Sequence, residues 1–565
     1  MPSRDRTVAW LSAAVLAAAL AFAGNAFPAP ACPPGNYPKF YLDAAPFESA
    51  IAEAASYEPS NEKLTGITVP HHLLADHLIA LGFQAASGFS YKRIIILAPD
   101  HFRQTEKLFA TTSRSFDTVL GTVANDTEAT AALLASGADI EESCLFQREH
   151  GVLALLPFIA RHFPEAKIVP VAMSIRSKRA DWDRFAEALA PLVDDETLIV
   201  ESTDFSHYLP QHEARKFDQQ TLNIIASGSL DAIANLHQPR HADSVGALYV
   251  QMKLQRERFG TSPLVIANEN SQQYSATLTH ETTSYQVILF GTLTPAFNNP
   301  ALDTVKTYYF AGDTNFGRAM KTALLDADAA DRIADDILMR TKGRPLIVNL
   351  EGVILPNVPE TIDNMTLAMP EDLAISWLKR LNVAGVGLAN NHAMDLGPSG
   401  YAETTRALDA AGLRWFGQGE ALQLHGLDVV GLADIDSNGS RQTDLLTPDL
   451  LDRLIREGSS NPVAAFVHWG REYVNSPSER EATLADDMRL RSVAAIIGAH
   501  PHVASEKLDA LAGGDVLQVY TLGNFLFDQS AEKSSGAMLE LRVFEQGTVF
   551  GRLLPLPNFF DMAKR

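Results

Sequence analysis

The chain has 565 residues, beyond the reach of one hydrophobic core, and its 46% hydrophobic and 20% charged content is that of a globular protein. A formal net charge of −22 excludes a nucleic-acid partner, because phosphate binding needs a basic surface. The same acidity suits a protein whose carboxylates hold cations, and an anionic polymer would have to be met through metal ions or a local basic patch.

Arg4 and Arg6 precede the apolar run VAWLSAAVLAAALAFA, which has the length of a signal-peptide core and is short for a spanning helix. Small residues at 21–23 and 24–26 offer cleavage sites. Residues 1–30 therefore read as a secretory signal or, uncleaved, as an N-terminal anchor, and no second apolar run is long enough to span a bilayer. The expected location is the periplasmic or extracellular face of the cell envelope, with membrane contact only through that segment. Cys32 follows Ala29-Pro30-Ala31, a poor lipoprotein site, and Cys144 is the only other cysteine. The two can form a disulfide in an oxidising compartment, but spacing does not decide whether they meet.

From there, Val- and Ile-rich runs alternate with amphipathic helical stretches. This is the pattern of an α/β protein with largely parallel sheets buried on both faces. In the first half the strands are RIIILAP (93–99), KIVPVAM (167–173), TLIVEST (197–203) and SYQVILFGTL (284–293), with helices such as DWDRFAEALAPLV between them. Polar groups collect beside these strands: His71 and His72 in VPHH, Asp100 and His101 in LAPDHF, Glu149 and His150 in REHGVLALLPF. Asp204, Ser206 and His207 follow in STDFSHY, and Asp243 in HADSVGA. His72 and His77 flank the short helix HLLADHLIALGF and read as surface or core-edge residues, while Glu149-His150 reads equally well as a helix N-terminus.

These stretches resemble the Memo family (the AmmeMemoRadiSam system protein B group), whose fold is similar to the LigB class of extradiol dioxygenases. The resemblance covers roughly residues 40–297 and implies a metal pocket at His71, His101, Asp204 and His207. The family's last ligand is a cysteine in a C-G-x-G-P-like motif, and here that position reads Asp243-Ser244-Val245-Gly246-Ala247. A carboxylate in place of a thiolate hardens the site toward manganese, magnesium or zinc, although two His and two Asp still suit Fe(II).

LTPAFNNPALD, with two prolines and paired asparagines, reads as a linker at 298–306 between a domain at 38–297 and one at 307–565. The second strand series runs TYYFAG (307–312), PLIVNL (345–350), VAGVGLA (383–389), LDVVGLA (427–433), PVAAFVH (462–468), VAAIIGA (493–499) and DVLQVYTLG (515–523). Asp313, Glu351, Asn391 with His392, His468, and His500 with His502 stand at five of its strand exits. Ligands of open parallel sheets bind at the carboxyl ends of the strands. Carboxylates that bridge, imidazoles that hold and an uncharged amide oxygen together describe a binuclear metal centre. Asn391 is then a ligand, and His392 a proton donor or a clamp on developing charge. For any one motif, an ordinary helix cap explains the residues as well.

AGDTNFGR, NLEGVI, LANNHAMDLG, VHWGREY, GAHPHV and YTLGNFLFD, in that order, resemble the CapA family, named for capsule poly-γ-glutamate biosynthesis. That family's fold is similar to the calcineurin-like metallophosphatase sandwich, and the resemblance covers roughly residues 305–530. It implies metal-binding roles for Asp313, Glu351, Asn391, His468, His500 and His502, with His392 catalytic. Asp313 is followed by Thr314-Asn315, where the wider phosphatase pattern is Asp-x-His, so one metal lacks an imidazole. This weakens a plain phosphoesterase reading and leaves room for work on an amide-linked polymer. Asn524 in LGNF is either structural or lines a substrate cleft.

Three function classes follow. The first is an exported metal-dependent hydrolase or acyl transferase of capsule or exopolymer metabolism. It would hold two divalent ions (Mn, Fe or Zn) in the second half and one in the first, with an anionic polymer or small molecule as substrate. The second is a redox or dioxygenase-like enzyme centred on the first half. The third is a non-catalytic envelope component that binds polymer. Asp243 disfavours the second by removing the soft ligand, and His392, beside a ligand rather than serving as one, disfavours the third.

Overall fold

The computed structural model describes residues 34–295, 297, 305–363, 365–417, 421–435, 445–455 and 460–564. The apolar N-terminal segment, Cys32 and most of the linker lie outside those residues. Cys144 is disulfide-bonded. Among the described residues no helix is long and apolar enough to cross a membrane.

The protein is α/β in both halves. In the first half the strands Leu64–Val69, Thr197–Ser202, Arg93–Pro99 and Lys167–Met173 lie side by side in parallel. Each reads as an almost unbroken apolar run because helices cover both faces. Asp76–Ala86 lies over Ile67, Val69 and Val287, while Val245–Leu254 lies on the Gly66 face, where Gln251 fills the space a Cβ would take. Antiparallel partners close both margins: Thr282–Gly291 with Ser262–Asn270 at one, Phe109–Thr111 at the other.

The second half is two six-stranded sheets packed face to face. One is built around Lys306–Thr314, Leu346–Leu350 and Val383–Gly387, the other around Leu427–Ala433, Val463–His468 and Ala495–Ala499. Phe310, Ile347, Phe466, Ile497 and Leu541 fill the space between them. Ala327–Thr341 and Glu371–Arg380 cover one outer face, Pro448–Leu454 and Glu479–Leu490 the other. The result is a four-layered helix–sheet–sheet–helix sandwich. Local chemistry sets the helix starts: Ser478 and Glu481 form a reciprocal capping box, and the Asp326 side chain accepts from the Ala329 amide.

The two halves share a buried seam. Phe544, in the tip between Gly536–Val543 and Val549–Leu556, and Phe550, at the start of the second of these strands, lie in the core of the first half. The helix Gln211–Ser227 lies against that strand, with Gln219 donating to Val549 O (2.9 Å) and Asn223 to Gly514 O (2.8 Å). Gly514 is required there: its φ is +102° and a Cβ would stand 2.6 Å from Gln220 O.

Candidate metal centres

In the second half the two sheets bring their strand exits to one place. Asp313 closes the Lys306–Thr314 strand, Asn349 and Glu351 end the next, His468 ends its strand in the facing sheet, and His500 and His502 follow Ala495–Ala499. Asp313, Glu351 and His468 are essentially inaccessible, and ligand atoms of the three lie within 4.8 Å of one another. His468 Nε2 is 2.8 Å from Asn391 Oδ1 and 3.7 Å from Glu351 Oε1. The His502 Nδ1 is 3.0 Å from Asp313 Oδ2, and the His500 amide donates to Asp313 Oδ1 at 3.2 Å. The HPH turn holds His500 at φ +97° and His502 at φ +59°, with the His500 ring 4.8 Å from that of His468. Left-handed backbone at non-glycine residues is a strain that functional sites concentrate.

Burial and the adjacent Asp313 carboxylate push the Glu351 carboxyl well above the usual range. Asp313 is held low in spite of burial by His502 and His468. Burial, then His500, hold His468 well below the ordinary imidazole range, and burial brings His500 down to about 4 against the pull of Asp313. None of the groups acting most strongly on the two carboxylates is a lysine or arginine. Burial lowers His502, but Asp313 outweighs it and raises that imidazole, whereas His468 and His500 stay neutral; oxygen and nitrogen donors at these spacings fit a divalent cation.

His392 stands outside this donor set. Its Nδ1 is 2.9 Å from Asp395 Oδ2, and its amide donates to Asn390 Oδ1 at 3.1 Å, while its charge bears on His468 and His500. Two residues not singled out in the sequence organise the centre. Asn349 donates to Asp313 Oδ1 (2.9 Å) and lies 3.1 Å from His468 Nδ1, and buried Asn390 donates to Asn349 Oδ1 (3.1 Å) and Leu350 O (2.8 Å). Asn349 is two positions before Glu351, so strand alternation puts both side chains on one face. Asn524 accepts from His502 Nδ1 at 2.8 Å, which ties it to the centre.

In the first half, His71 and His101 follow two parallel strands that flank Thr197–Ser202, and their Nε2 atoms approach one carboxylate oxygen. Asp243 Oδ2 is 3.1 Å from His71 and 3.4 Å from His101, yet neither approach has hydrogen-bond geometry and the buried oxygen has no other partner. Donor atoms that face one another without bonding fit a cation held between them. Asp204 Oδ2 lies 3.7 Å from the same His71 nitrogen, and its other oxygen accepts the His71 amide (3.1 Å). His207 meets Phe205 O through Nδ1, which leaves Nε2 for another partner, and its charge bears on His72, the neighbour of His71.

His150 comes closer than its place in the sequence suggests, its ring 3.9 Å from that of His101, and His71, His101 and His150 place ring nitrogens within 4.8 Å of one another. Glu149 both caps the following helix, accepting from Gly151 N at 2.9 Å, and receives His101 Nδ1 at 2.6 Å. Burial lowers His101, but Asp243 and Glu149 outweigh it and raise the imidazole to about 10; burial and the neighbouring histidines bring His150 down to about 3. Asp100 instead closes its own loop on Gln104 and Thr105, His72 lies 2.8 Å from the Tyr285 hydroxyl, and His77 pairs with Glu269.

Residues 40–286 match the family model of Memo-like proteins, and residues 307–427 and 435–529 match that of the bacterial capsule synthesis protein PGA_cap. The capsule biosynthesis protein CapA of Bacillus anthracis is 28% identical over 283 residues, 44% of this chain and 67% of that protein. The MEMO1 family protein of Caldivirga maquilingensis is 29% identical over 139 residues, 24% of this chain and 49% of that protein. The chain therefore spans about two thirds of the first relative and half of the second. A solved structure of a novel phosphatase from Mycoplasma pneumoniae is 13% identical, with 46% of this chain and 96% of that one covered and a TM-score of 0.32.

Proposed function

Because this chain joins a Memo-like half to a CapA-like half, we propose that it is an exported metal-dependent enzyme of capsule-type exopolymer metabolism, with hydrolase or acyl-transferase chemistry at the Asp313–His502 centre. One observation carries the reading: Asp313, Glu351 and His468, buried and mutually within 4.8 Å, lie one residue away from an imidazole that is not among them, since Asn391 contacts His468 and His392 is next to it. Divalent cations held by Asp313, Glu351, Asn391, His468, His500 and His502 supply Lewis acidity toward a carbonyl or phosphoryl oxygen.

The chain's own groups do the rest. Asp395 holds the His392 ring by Nδ1, so Nε2 can deliver a proton to a leaving group. Neutral His468 and His500 do not repel a cation, and the uncharged Asn391 oxygen adds a donor without adding charge. The substrate in this reading is an anionic polymer, met through the metal ions because the chain is itself acidic. The N-terminal segment, the disulfide at Cys144 and the capsule relatives support a place at the envelope. The His71, His101 and Asp243 group is in this reading a second, hard-metal site.

Metal analysis of the purified full chain, with release of fragments from poly-γ-glutamate, tests the proposal. Divalent metal above one equivalent together with fragment release supports it. Metal without turnover on any candidate polymer, together with polymer binding, moves the protein to the non-catalytic envelope class.

A further inference from the structure

The stretch Trp469–Val474 follows His468 directly, and the role proposed for His468 leaves it unexplained. Tyr473 is the residue that stands out. It is 49% exposed, its φ is +65°, and its amide donates at 2.7 Å to Pro501 O, the residue between the two histidines of the HPH turn. Four of the eleven non-glycine residues with positive φ among the described residues (Arg318, Tyr473, His500 and His502) gather around this one centre. The amide bond to Pro501 O ties this left-handed residue to the HPH turn and so fixes where its ring stands.

A relay of side chains explains the placement. His502 Nδ1 lies 3.0 Å from Asp313 Oδ2 and 2.8 Å from Asn524 Oδ1; the Asn524 amide donates to Gln529 Oε1 at 3.0 Å; and Gln529 Nε2 donates to the Tyr473 hydroxyl oxygen at 3.3 Å. Each amide has one orientation in this chain, which runs from a buried carboxylate out to solvent. Two consequences follow from the donor and acceptor inventory. The proton of His502 is fixed on Nδ1, which leaves Nε2 for a cation. The Tyr473 oxygen is used as an acceptor from Gln529, which leaves its O–H proton to be donated away from the protein. The ring lies 6.1 Å from that of His502, and Phe527, 5.0 Å from His502, extends the wall with Arg318 over its face.

We propose that Tyr473 is a substrate-contacting residue that donates its hydroxyl proton to an oxyanion of the substrate, a phosphoryl or a carboxyl/acyl oxygen, lying over the Asp313–His502 centre, with Gln529 as its positioning residue. This rests on the metal-centre reading above. Metal-loaded full-length protein is titrated calorimetrically with inorganic phosphate and, separately, with glutarate, while metal content and melting temperature are followed for wild type, Tyr473→Phe and Gln529→Leu. The Phe variant keeps its metal and its melting temperature but binds the oxyanion about tenfold more weakly, the lower edge for a hydrogen bond to a charged group. Gln529→Leu shows a smaller loss in the same direction. A loss confined to phosphate assigns a phosphoryl oxygen, and one confined to glutarate a carboxyl or acyl oxygen. Unchanged affinity in the Phe variant, loss of its metal, or a metal-loaded wild type that binds neither probe overturns the assignment while the metal centre stands. A wild type that takes up no metal overturns both.

Discussion

His468 Nε2 and Asn391 Oδ1 lie 2.8 Å apart, one from each of the two packed sheets of the second half, with Glu351 Oε1 3.7 Å from the same nitrogen. Asn391 thus touches a member of the Asp313, Glu351 and His468 cluster, while the ring of His392, the next residue, is bonded to Asp395. Asn391→Ala and Asp313→Ala should lower metal occupancy and activity together. His392→Ala should leave metal content nearly unchanged and cut turnover by ~10²–10⁴-fold, the usual worth of a positioned general acid. Mass spectrometry of bound metal beside polymer-fragment release separates the cases, and a His392→Ala protein as empty as Asp313→Ala would make the imidazole a ligand.

Asn349 reaches both Asp313 and His468 without standing in the donor set. Partners of this kind orient ligands, and their loss typically costs ~10–100-fold in metal affinity. Asn349→Ala should show that loss in a chelator competition titration with the fold intact by circular dichroism. Wild-type affinity in the variant would reduce Asn349 to packing.

In the first half, Asp243 Oδ2 lies 3.1 and 3.4 Å from the Nε2 atoms of His71 and His101, and the sequence expectation sets it at the resembled family's thiolate position. Offered equimolar manganese, iron, zinc and copper, Asp243→Cys should shift occupancy toward copper and zinc, and Asp243→Ala should lose most of it. Metal content of the two variants alone decides this, and an unchanged metal profile in Asp243→Cys would show that Asp243 does not touch the ion.

Asp218 is fully buried at the seam between the halves, bonded to Ser206 at 2.6 Å, and its Oδ2, the Gln546 Oε1 and both amide atoms of Gln286 have no partner. Burial raises its carboxyl to about 7 against its hydroxyl and amide donors. Since the unfolded chain releases this proton near 3.8 and the folded chain holds it to about 7, stability from this group is full below 3.8 and declines as pH rises to about 7. Asp218→Asn keeps the shape and adds donors, so it should stabilise the protein at pH 8 by about 2–4 kcal/mol and change little at pH 4. Denaturant unfolding at the two pH values measures this. Destabilisation at pH 8 would mean that the carboxylate is charged and compensated in the seam.

The strands RIIILAP and KIVPVAM occupy the positions their composition indicates, 93–99 and 167–173, because burial on both faces leaves nearly every residue apolar. The hairpin of Gly536–Val543 and Val549–Leu556 is not legible in the same way. Its Glu540 and Arg542 look like solvent-facing residues, yet both are buried, acceptable only because Arg542 and Arg552 reach Glu540 at 2.7 and 2.9 Å. That pairing depends on a neighbouring strand, which no local pattern encodes.

By itself, then, the sequence determined the two halves, the strand exits and the residue types placed there, since periodicity and strand-end polarity are local. Only the tertiary structure decided which of those groups meet. His468 faces Asn391 because two sheets pack against each other, and His150 lies against His101 while the His207 Nδ1 is taken by Phe205 O. Asn349, Glu149 and Tyr473 gain their roles from partners 36 or 119, 48 and 56 positions away. Contacts at such separations are set by packing between elements, the one kind of information that neither spacing nor composition carries.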